Sequence, residues 1–471
     1  MKVLKNYLYS LSYQVFIIIV PLITIPYISR VLGPKGVGIN TLTNSMVQYF
    51  VLLANLGLTT YGQRQIAYKQ HDRILMTKNF WEIEILSVLA TIASFLLFCT
   101  FVTFAPQYRL YYIAQSLLIV ASAFDVSWLF MGLENFKITV FRNFVFKFIS
   151  VILIFLFVKN SGDTLVYILI LSSTTLLGNV VLWPQLRRYL TKISLKKLRL
   201  SPHIRPAIAL FIPQIAISIY AILNKVMVGL MTNVSQAAYF DNSDKIVCLL
   251  LTVITALSVV MMPHIAKAFA EGKHEQIKKN ITFSIRISIL FAVPVAFGLS
   301  AIAPVLVPWF FGQKFLQVTS VMGIEAFAII PIAIASVLGG QFLVPLNKNG
   351  QYTISIFCGA AVNILINFPL IHFWGAVGAS YATLIAESTV TLVQIFFVWR
   401  FLPLADVWRD FGEILICSLV MFVIVHIYSV TFQHGLVSII TAIIIGLCVF
   451  AGMSALFRPK IIKEIITRVF S

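Results

Sequence analysis

The sequence predicts an all-α polytopic membrane protein with about fourteen transmembrane helices, and three observations carry that prediction. The chain of 471 residues is 60% hydrophobic and only 11% charged. Its mean hydropathy of +0.95 is far above what a water-facing surface allows. Apolar segments long enough to cross a bilayer follow one another with short polar interruptions, and the basic residues gather in alternate interruptions.

The segments run roughly over 8–31, 37–60, 80–105, 109–131, 141–158, 164–186, 207–231, 237–262, 283–307, 319–344, 351–372, 376–399, 411–430 and 436–457. Lys2 and Lys5 precede the first one, as in a signal peptide. Tyr13, Gln14, Pro21 and Pro26 interrupt it, however, and Arg30 follows without a small-x-small cleavage site, so a retained first helix is expected. An even number of spans places both termini on one side. With that side cytoplasmic, the inside segments hold 28 of the 35 basic residues and the outside loops five: Arg30, Lys35, Arg109, Lys159 and Lys314. Lys225 and Lys245 fall within spans. This asymmetry sets the orientation, with both termini in the cytoplasm.

The net charge of +19 therefore reports topology. A nucleic-acid binder would instead collect Lys and Arg on one face of a soluble domain, so no nucleic-acid partner is expected. The longest basic loop, Arg187–Pro206, reads as a cytoplasmic linker that fixes topology and touches anionic headgroups. It divides an N-terminal lobe of six spans (1–186) from a C-terminal lobe of six (207–400), followed by spans thirteen and fourteen and a basic tail (401–471). A shift of 201 residues lays Lys78-Asn79 on Lys279-Asn280, Ala67 on Ala268 and Asn40 on Asp241. Hairpin length, loop charge and polar positions agree under the same shift, as expected of two parallel repeats.

Cys99, Cys248, Cys358, Cys417 and Cys448 all lie in apolar runs with no CxxC or Cys/His spacing, and read as small packing residues. Neither HExxH, a Ser-His-Asp constellation nor a phosphate-binding GxxxxGK[ST] loop occurs. No catalytic residue, metal site, cofactor or direct ATP drive is expected. Pro21, Pro26, Pro213, Pro294 and Pro331 interrupt spans and can kink them.

Two stretches resemble a known family. The run Pro26-Tyr27-Ile28-Ser29-Arg30-Val31-Leu32-Gly33-Pro34-Lys35-Gly36-Val37-Gly38 resembles the entry motif of the polysaccharide-synthesis flippases. Phe124-Asp125-Val126-Ser127-Trp128-Leu129-Phe130-Met131-Gly132-Leu133-Glu134-Asn135-Phe136 is similar to the family's signature at the end of span four, and is the more specific of the two. With Leu4-Lys5-Asn6-Tyr7 and Leu11-Ser12-Tyr13-Gln14, the likeness is to O-antigen and capsule repeat-unit transporters, and also to teichoic-acid exporters. It implies the multidrug/oligosaccharidyl-lipid/polysaccharide exporter superfamily: two six-helix lobes around a central cavity, two extra C-terminal helices, and alternating access in the bacterial cytoplasmic membrane. The substrate it implies is an oligosaccharide on undecaprenyl pyrophosphate, with membrane lipids, a polysaccharide polymerase and glycosyltransferases as candidate partners.

A flippase needs a hydrated cationic path for a phosphate headgroup. Lys225 and Lys245 each lie roughly 10 Å below the outer surface at 1.5 Å per residue. With Asp241 and Asp244 they form either a substrate site or a self-neutralising ion cluster. Arg30, beside Gly33, Gly36 and Gly38, is either an interface arginine or, as the family motif implies, a cavity residue. Asn40, Asn44 and Gln48 recur every four residues and form one stripe on span two, suited to sugar hydroxyls or to interhelical hydrogen bonds. Asp125, Glu325 and Glu387 are candidate gate or coupling acids, responding to a proton or sodium gradient or to membrane potential. A membrane-bound polymerase or glycosyltransferase would instead require a large outer loop or acidic sites at the membrane face, and the loops are short. A small-cation or multidrug exporter of the same superfamily is the third reading.

Overall fold

A computed structural model describes residues 2–193, 198–402, 404–432, 435–457, 459–462 and 464. The side chains of 2–18, 212–214, 216–217, 219–221, 256–260, 263–264 and 404–406 lie outside the described set. The topology charges Lys2, Lys5, Lys196, Lys197, Arg458, Lys463 and Arg468, the ring of Pro213 and the side chains of Leu4–Tyr7 and Leu11–Gln14 therefore lie outside it too.

Described residues form helices throughout. In order they are α1 (Lys2–Asn55), α2 (Leu58–Lys69), α3 (Arg73–Phe104), α4 (Arg109–Ala123), α5 (Ser127–Gly132), α6 (Phe136–Phe157), α7 (Thr164–Val180), α8 (Trp183–Leu186), α9 (Ser201–Met231) and α10 (Val234–Ala270). Then come α11 (His274–Phe310), α12 (Val318–Glu325), α13 (Ile329–Ala335), a π-helical stretch Ser336–Leu343, α14 (Asn349–Val398), α15 (Leu404–Thr431) and α16 (Leu436–Phe457). Among the described residues nine helices are long and apolar enough to cross a membrane. Their outward faces suit lipid and not water: Phe141 and Phe148 on α6, and Val437, Leu447 and Leu456 on α16, are all exposed.

Two of the longest helices are each a pair of legs joined at a glycine. In α1 the joint is Gly33, at φ 67° and ψ −179°. In α14 it is Gly375, at φ 58° and ψ −130°. Positive φ costs a residue with a Cβ but not glycine. Pro34 then opens the second leg of α1, where its missing N–H is no loss. Three residues after each joint another glycine lets the legs close. A Cβ on Gly36 would lie 2.9 Å from Leu32 Cβ of the first leg and 2.6 Å from Thr164 Oγ1 of α7, and one on Gly378 would lie 1.9 Å from the Leu370 carbonyl oxygen. Sequence spans one and two, and eleven and twelve, are these legs.

Span four departs from a single helix. α4 ends at Ala123, and Asp125 Oδ1 accepts the Ser127 N–H at 3.0 Å to start α5. The stretch Phe124–Phe136 thus folds as a break and a short buried helix. Trp128 stacks on Phe80 with ring centroids 5.2 Å apart. It also fills the space over Gly62, where a Cβ would come 2.6 Å from its ring. The specificity of this motif comes from packing between α2, α3 and α5.

The chain forms two compact units, Met1–Val226 and Met227–Ser471. In the first, α1 packs on α3, α4, α6 and α7, and α4 packs on α7. In the second, α11 packs along α15, α15 along α16, and α10 on α11 and α12. The sequence reading set the lobe boundaries at 186 and 207, with 187–206 as linker. Hydrogen bonds tie that stretch to α3: Arg73 donates to the Arg188 and Tyr189 carbonyls at 2.7 and 3.0 Å, Thr191 N–H donates to Thr77 Oγ1 at 3.1 Å, and Arg199 N–H to Glu82 Oε1 at 2.7 Å. The border between the units accordingly lies inside α9.

His203 completes this attachment. Its Nε2 lies 2.9 Å from Glu82 Oε2 and its Nδ1 2.8 Å from the Tyr61 hydroxyl, all three residues being buried. Replacing His203 by Ala is expected to cost about 1–3 kcal/mol, since a buried carboxylate loses a donor. Thermal unfolding of the purified protein in detergent checks it. An unchanged melting temperature would mean that Glu82 does not depend on the imidazole.

Candidate functional site

In the first unit a cavity of about 650 Å³ opens between α1, α4, α6 and α7. From α1 it takes Asn44 and Gln48, two members of the predicted stripe, opposite Pro21 of the first leg. The third member, Asn40, is engaged elsewhere: Gln115 Nε2 donates to its Oδ1 at 3.1 Å, a bond between α1 and α4. The stripe is therefore divided between the cavity wall and interhelical bonding.

Asp125 also reaches this cavity, from the break after α4. Behind it, on α3, Glu84 is 2% exposed, and among the described residues neither of its carboxyl oxygens has a hydrogen-bond partner. Asp125 lies within electrostatic reach of it. The sequence reading took Asp125, Glu325 and Glu387, beyond Asp241 and Asp244, as the acids well inside spans. Glu82 and Glu84 belong with them, because α3 starts at Arg73 and carries both into the packed interior. Both already fall inside the predicted segment 80–105, close to its start.

The opposite wall comes from α6 and α7. Arg142 and Lys147 of α6 both line the cavity. By charge distribution they had been grouped with Lys137 as an inside loop, but α6 begins at Phe136 and holds both within the helix. Arg142 Nη1 donates to Asn179 Oδ1, and Asn179 Nδ2 donates to the Ala121 carbonyl at 2.7 Å. Gly178 packs against the same face of α6, where a Cβ would stand 3.3 Å from Phe146 Cγ and, in ordinary contact, 3.4 Å from Arg142 Cδ. Thr174, Thr175 and Ser150 add hydroxyls to the same wall. The cavity thus offers cations, amides and hydroxyls inside an apolar bundle.

The remaining predicted residues lie elsewhere. Arg30 is exposed at the end of the first leg of α1, three residues before the Gly33 joint. That end is held in place by Tyr27, whose hydroxyl donates to the Val158 carbonyl at 2.7 Å. In the turn that follows, Asp163 accepts the N–H groups of Lys159 and Asn160 at 2.8 Å each, which holds its carboxyl below the usual range. Lys225 is half-buried on α9 in the first unit. In the second unit Lys245 pairs with Asp241 one helical turn away at 2.5 Å, and Asp244 accepts from the Cys248 thiol at 3.5 Å. Glu325 is wholly buried at the end of α12. Glu387, on the second leg of α14, is buried within electrostatic reach of Tyr352.

Lipid-facing helices in two compact units, with a polar cavity sunk into the first, define a multi-pass membrane protein of the flippase and exporter fold. The chain covers 97% of its length on a solved structure of lipid II flippase MurJ in an inward closed conformation, at 14% identity, 100% coverage of that chain and a TM-score of 0.78. It covers 81% of its length, and 94% of the other chain, on an inward-facing multidrug resistance MATE family transporter of the MOP superfamily, at 14% identity and a TM-score of 0.68. Residues 3–269 match the family described as "Polysaccharide biosynthesis protein", and the chain belongs to that family. A putative O-antigen transporter of Shigella dysenteriae is 24% identical over 383 residues, 80% of this chain and 94% of the relative.

Proposed function

We propose that this protein is a flippase that carries an oligosaccharide repeat unit on undecaprenyl pyrophosphate across the bacterial cytoplasmic membrane. The polymer it serves is capsule, exopolysaccharide or O-antigen, and transport runs by alternating access. The observation that carries this reading is membership of the polysaccharide biosynthesis family combined with likeness to O-antigen transporters over most of the chain. The polar cavity supports it, because a sugar headgroup needs amides and hydroxyls within the bilayer while its lipid tail stays in hydrocarbon. In this reading Asn44 and Gln48 face the sugar, and Asn40, proposed with them from the sequence, positions the stripe through its bond to Gln115. Arg30, Lys225 and Lys245, with Asp241 as counter-charge, receive the pyrophosphate toward the outer surface. Asp125, Glu325 and Glu387 gate the cycle or couple it to a proton or sodium gradient or to membrane potential.

Depletion in cells should leave the lipid-linked repeat unit on the cytoplasmic leaflet, where mass spectrometry of extracted lipid identifies it. Normal surface polymer in a deletion strain without a redundant transporter would refute transport. Single repeat units accumulating on the outer leaflet would point to a polymerase instead.

A further inference from the structure

We infer that Lys348, seated between the rings of Phe342 and Phe401, is a reversible latch on a hinge in the second unit, the π-helical stretch Ser336–Leu343. The inference rests on the flippase reading only for what the hinge serves, a change in the shape of span ten during the transport cycle. That span is not one helix. α12, a 3₁₀ turn at Ala326–Ala328, α13 and the π-helical stretch follow one another directly. Departures of this kind from the α form concentrate at functional hinges. Above the stretch, Thr391 of α14 donates to the Pro331 carbonyl at 2.8 Å and fixes α13. Within it, Tyr352 fills the space over Gly339, where a Cβ would come 2.6 Å from its ring, but a Cβ on Gly340 would meet nothing within 4 Å. The wide winding continues to the end of the span. Val344 N–H donates to the Gly339 carbonyl at 3.0 Å and Lys348 N–H to the Leu343 carbonyl at 2.8 Å, each five residues back.

Lys348 is the residue at which that winding ends. Asn347 before it turns the chain at φ 58°, and the Lys348 carbonyl accepts the Tyr352 N–H at 3.2 Å in the first turn of α14. Its Nζ stands 5.5 Å from the centroid of Phe342, inside the π-helical stretch, and 5.5 Å from that of Phe401, just beyond α14. The two rings lie 5.4 Å apart, and Phe401 also meets the His274 ring at the start of α11, at 6.4 Å. One ammonium thus joins the far end of span ten to the ends of two other helices. Positive-inside topology accounts for a basic residue here, since Lys348 is the only Lys, Arg, Asp or Glu between Glu325 and Glu387. It does not account for two rings around the charge. Phe342 is fully buried, whereas Phe401 is exposed and Lys348 half-buried. A cation–π contact so placed is weak enough to break and re-form in each cycle.

Hydrogen exchange of the full-length protein in nanodiscs reads the hinge directly, through the amides of 336–348 against those of α16. Lys348→Gln and Phe401→Leu should each speed exchange of that segment about two- to fivefold and leave α16 unchanged. Lys348→Arg should stay near wild type, and combining Lys348→Gln with Phe401→Leu should add nothing to either change alone. Gly340→Ala should slow exchange of the segment, hold or raise the melting temperature and, at limiting expression, lower surface polymer at least about twofold, because a stiffer hinge is more stable and less active. Wild-type exchange in both Lys348→Gln and Phe401→Leu overturns the latch. So does an effect of Lys348→Gln that Phe401→Leu does not share, which would leave the lysine a topology charge. Phe401→Leu decides the matter should Lys348→Gln fail to fold. Unslowed exchange in Gly340→Ala, or slowed exchange with full surface polymer, overturns the hinge and leaves the flippase reading intact. Failure of that reading shows separately, as normal polymer in the deletion strain.

Discussion

Gly378→Ala is expected to destabilise the protein by more than about 3 kcal/mol, enough to remove most of it from the membrane fraction. The new Cβ would stand 1.9 Å from the Leu370 carbonyl oxygen, 2.3 Å from its carbon and 2.9 Å from the Ile371 nitrogen. These are backbone atoms of the preceding leg of α14, so no rotamer change relieves the contact. The legs would have to part at the Gly375 joint, where Gln236 holds the start of the second leg. Its Oε1 accepts the Ala376 N–H at 3.1 Å, and its Nε2 donates to Gln317 at 2.9 Å. Gly350→Ala is the control: it lies at the start of the same helix, and a Cβ there meets nothing within 4 Å. It should be neutral or slightly stabilising, because alanine favours helix over the unfolded chain. Equal expression and melting of the two variants would show that the leg contact is loose.

Arg286→Met is expected to cost about 3–5 kcal/mol, the usual penalty for leaving a buried charge without its counter-ion. Arg286 of α11 binds Asp410 of α15 through Nε, and Glu464 beyond α16 through Nη1 at 2.8 Å. Asp410 is fully buried and Arg286 is 8% exposed. The cluster is the polar lock on the α11–α15 packing, which is otherwise apolar through Ile285, Ile289, Ile414 and Met421. Arg286→Met with Asp410→Leu should recover most of the lost stability, since a matched apolar pair removes the orphaned charge. Melting of the single variant close to wild type would mean that water or lipid headgroups already satisfy Asp410.

Neither effect is visible in the residues themselves. A glycine in a span reads equally as a packing contact or as tolerated flexibility. An arginine at a span end reads as a topology signal. Charge counting placed Arg286 in that class, and placed Arg142 and Lys147 there as well. The statistic treats the loops as an ensemble and is silent on which members point inward. A helix repeats every 3.6 residues, so a charge near its end faces lipid headgroup, neighbour or cavity according to rotation, and rotation is set by neighbours distant in sequence.

What the sequence determined by itself was what a bilayer imposes on every segment alone: apolar length, helical backbone and short polar connections. The breaks between spans one and two and between spans eleven and twelve were legible for the same reason, while the positive φ of Gly33 and Gly375 that makes each joint came from the structure. The motif Phe124–Phe136 was legible as a resemblance, but only packing against Gly62 and Phe80 gave it a physical role. Tertiary structure decided everything that depends on pairing. It separated Asn40 from Asn44 and Gln48, joined Lys245 to Asp241, buried Glu84 beside Asp125, and carried the linker with α3 so that the border between units falls inside α9. Each of these is a contact between groups far apart in the chain or a choice among partners at equal spacing. Hydropathy orders residues by solvent and cannot order them by partner.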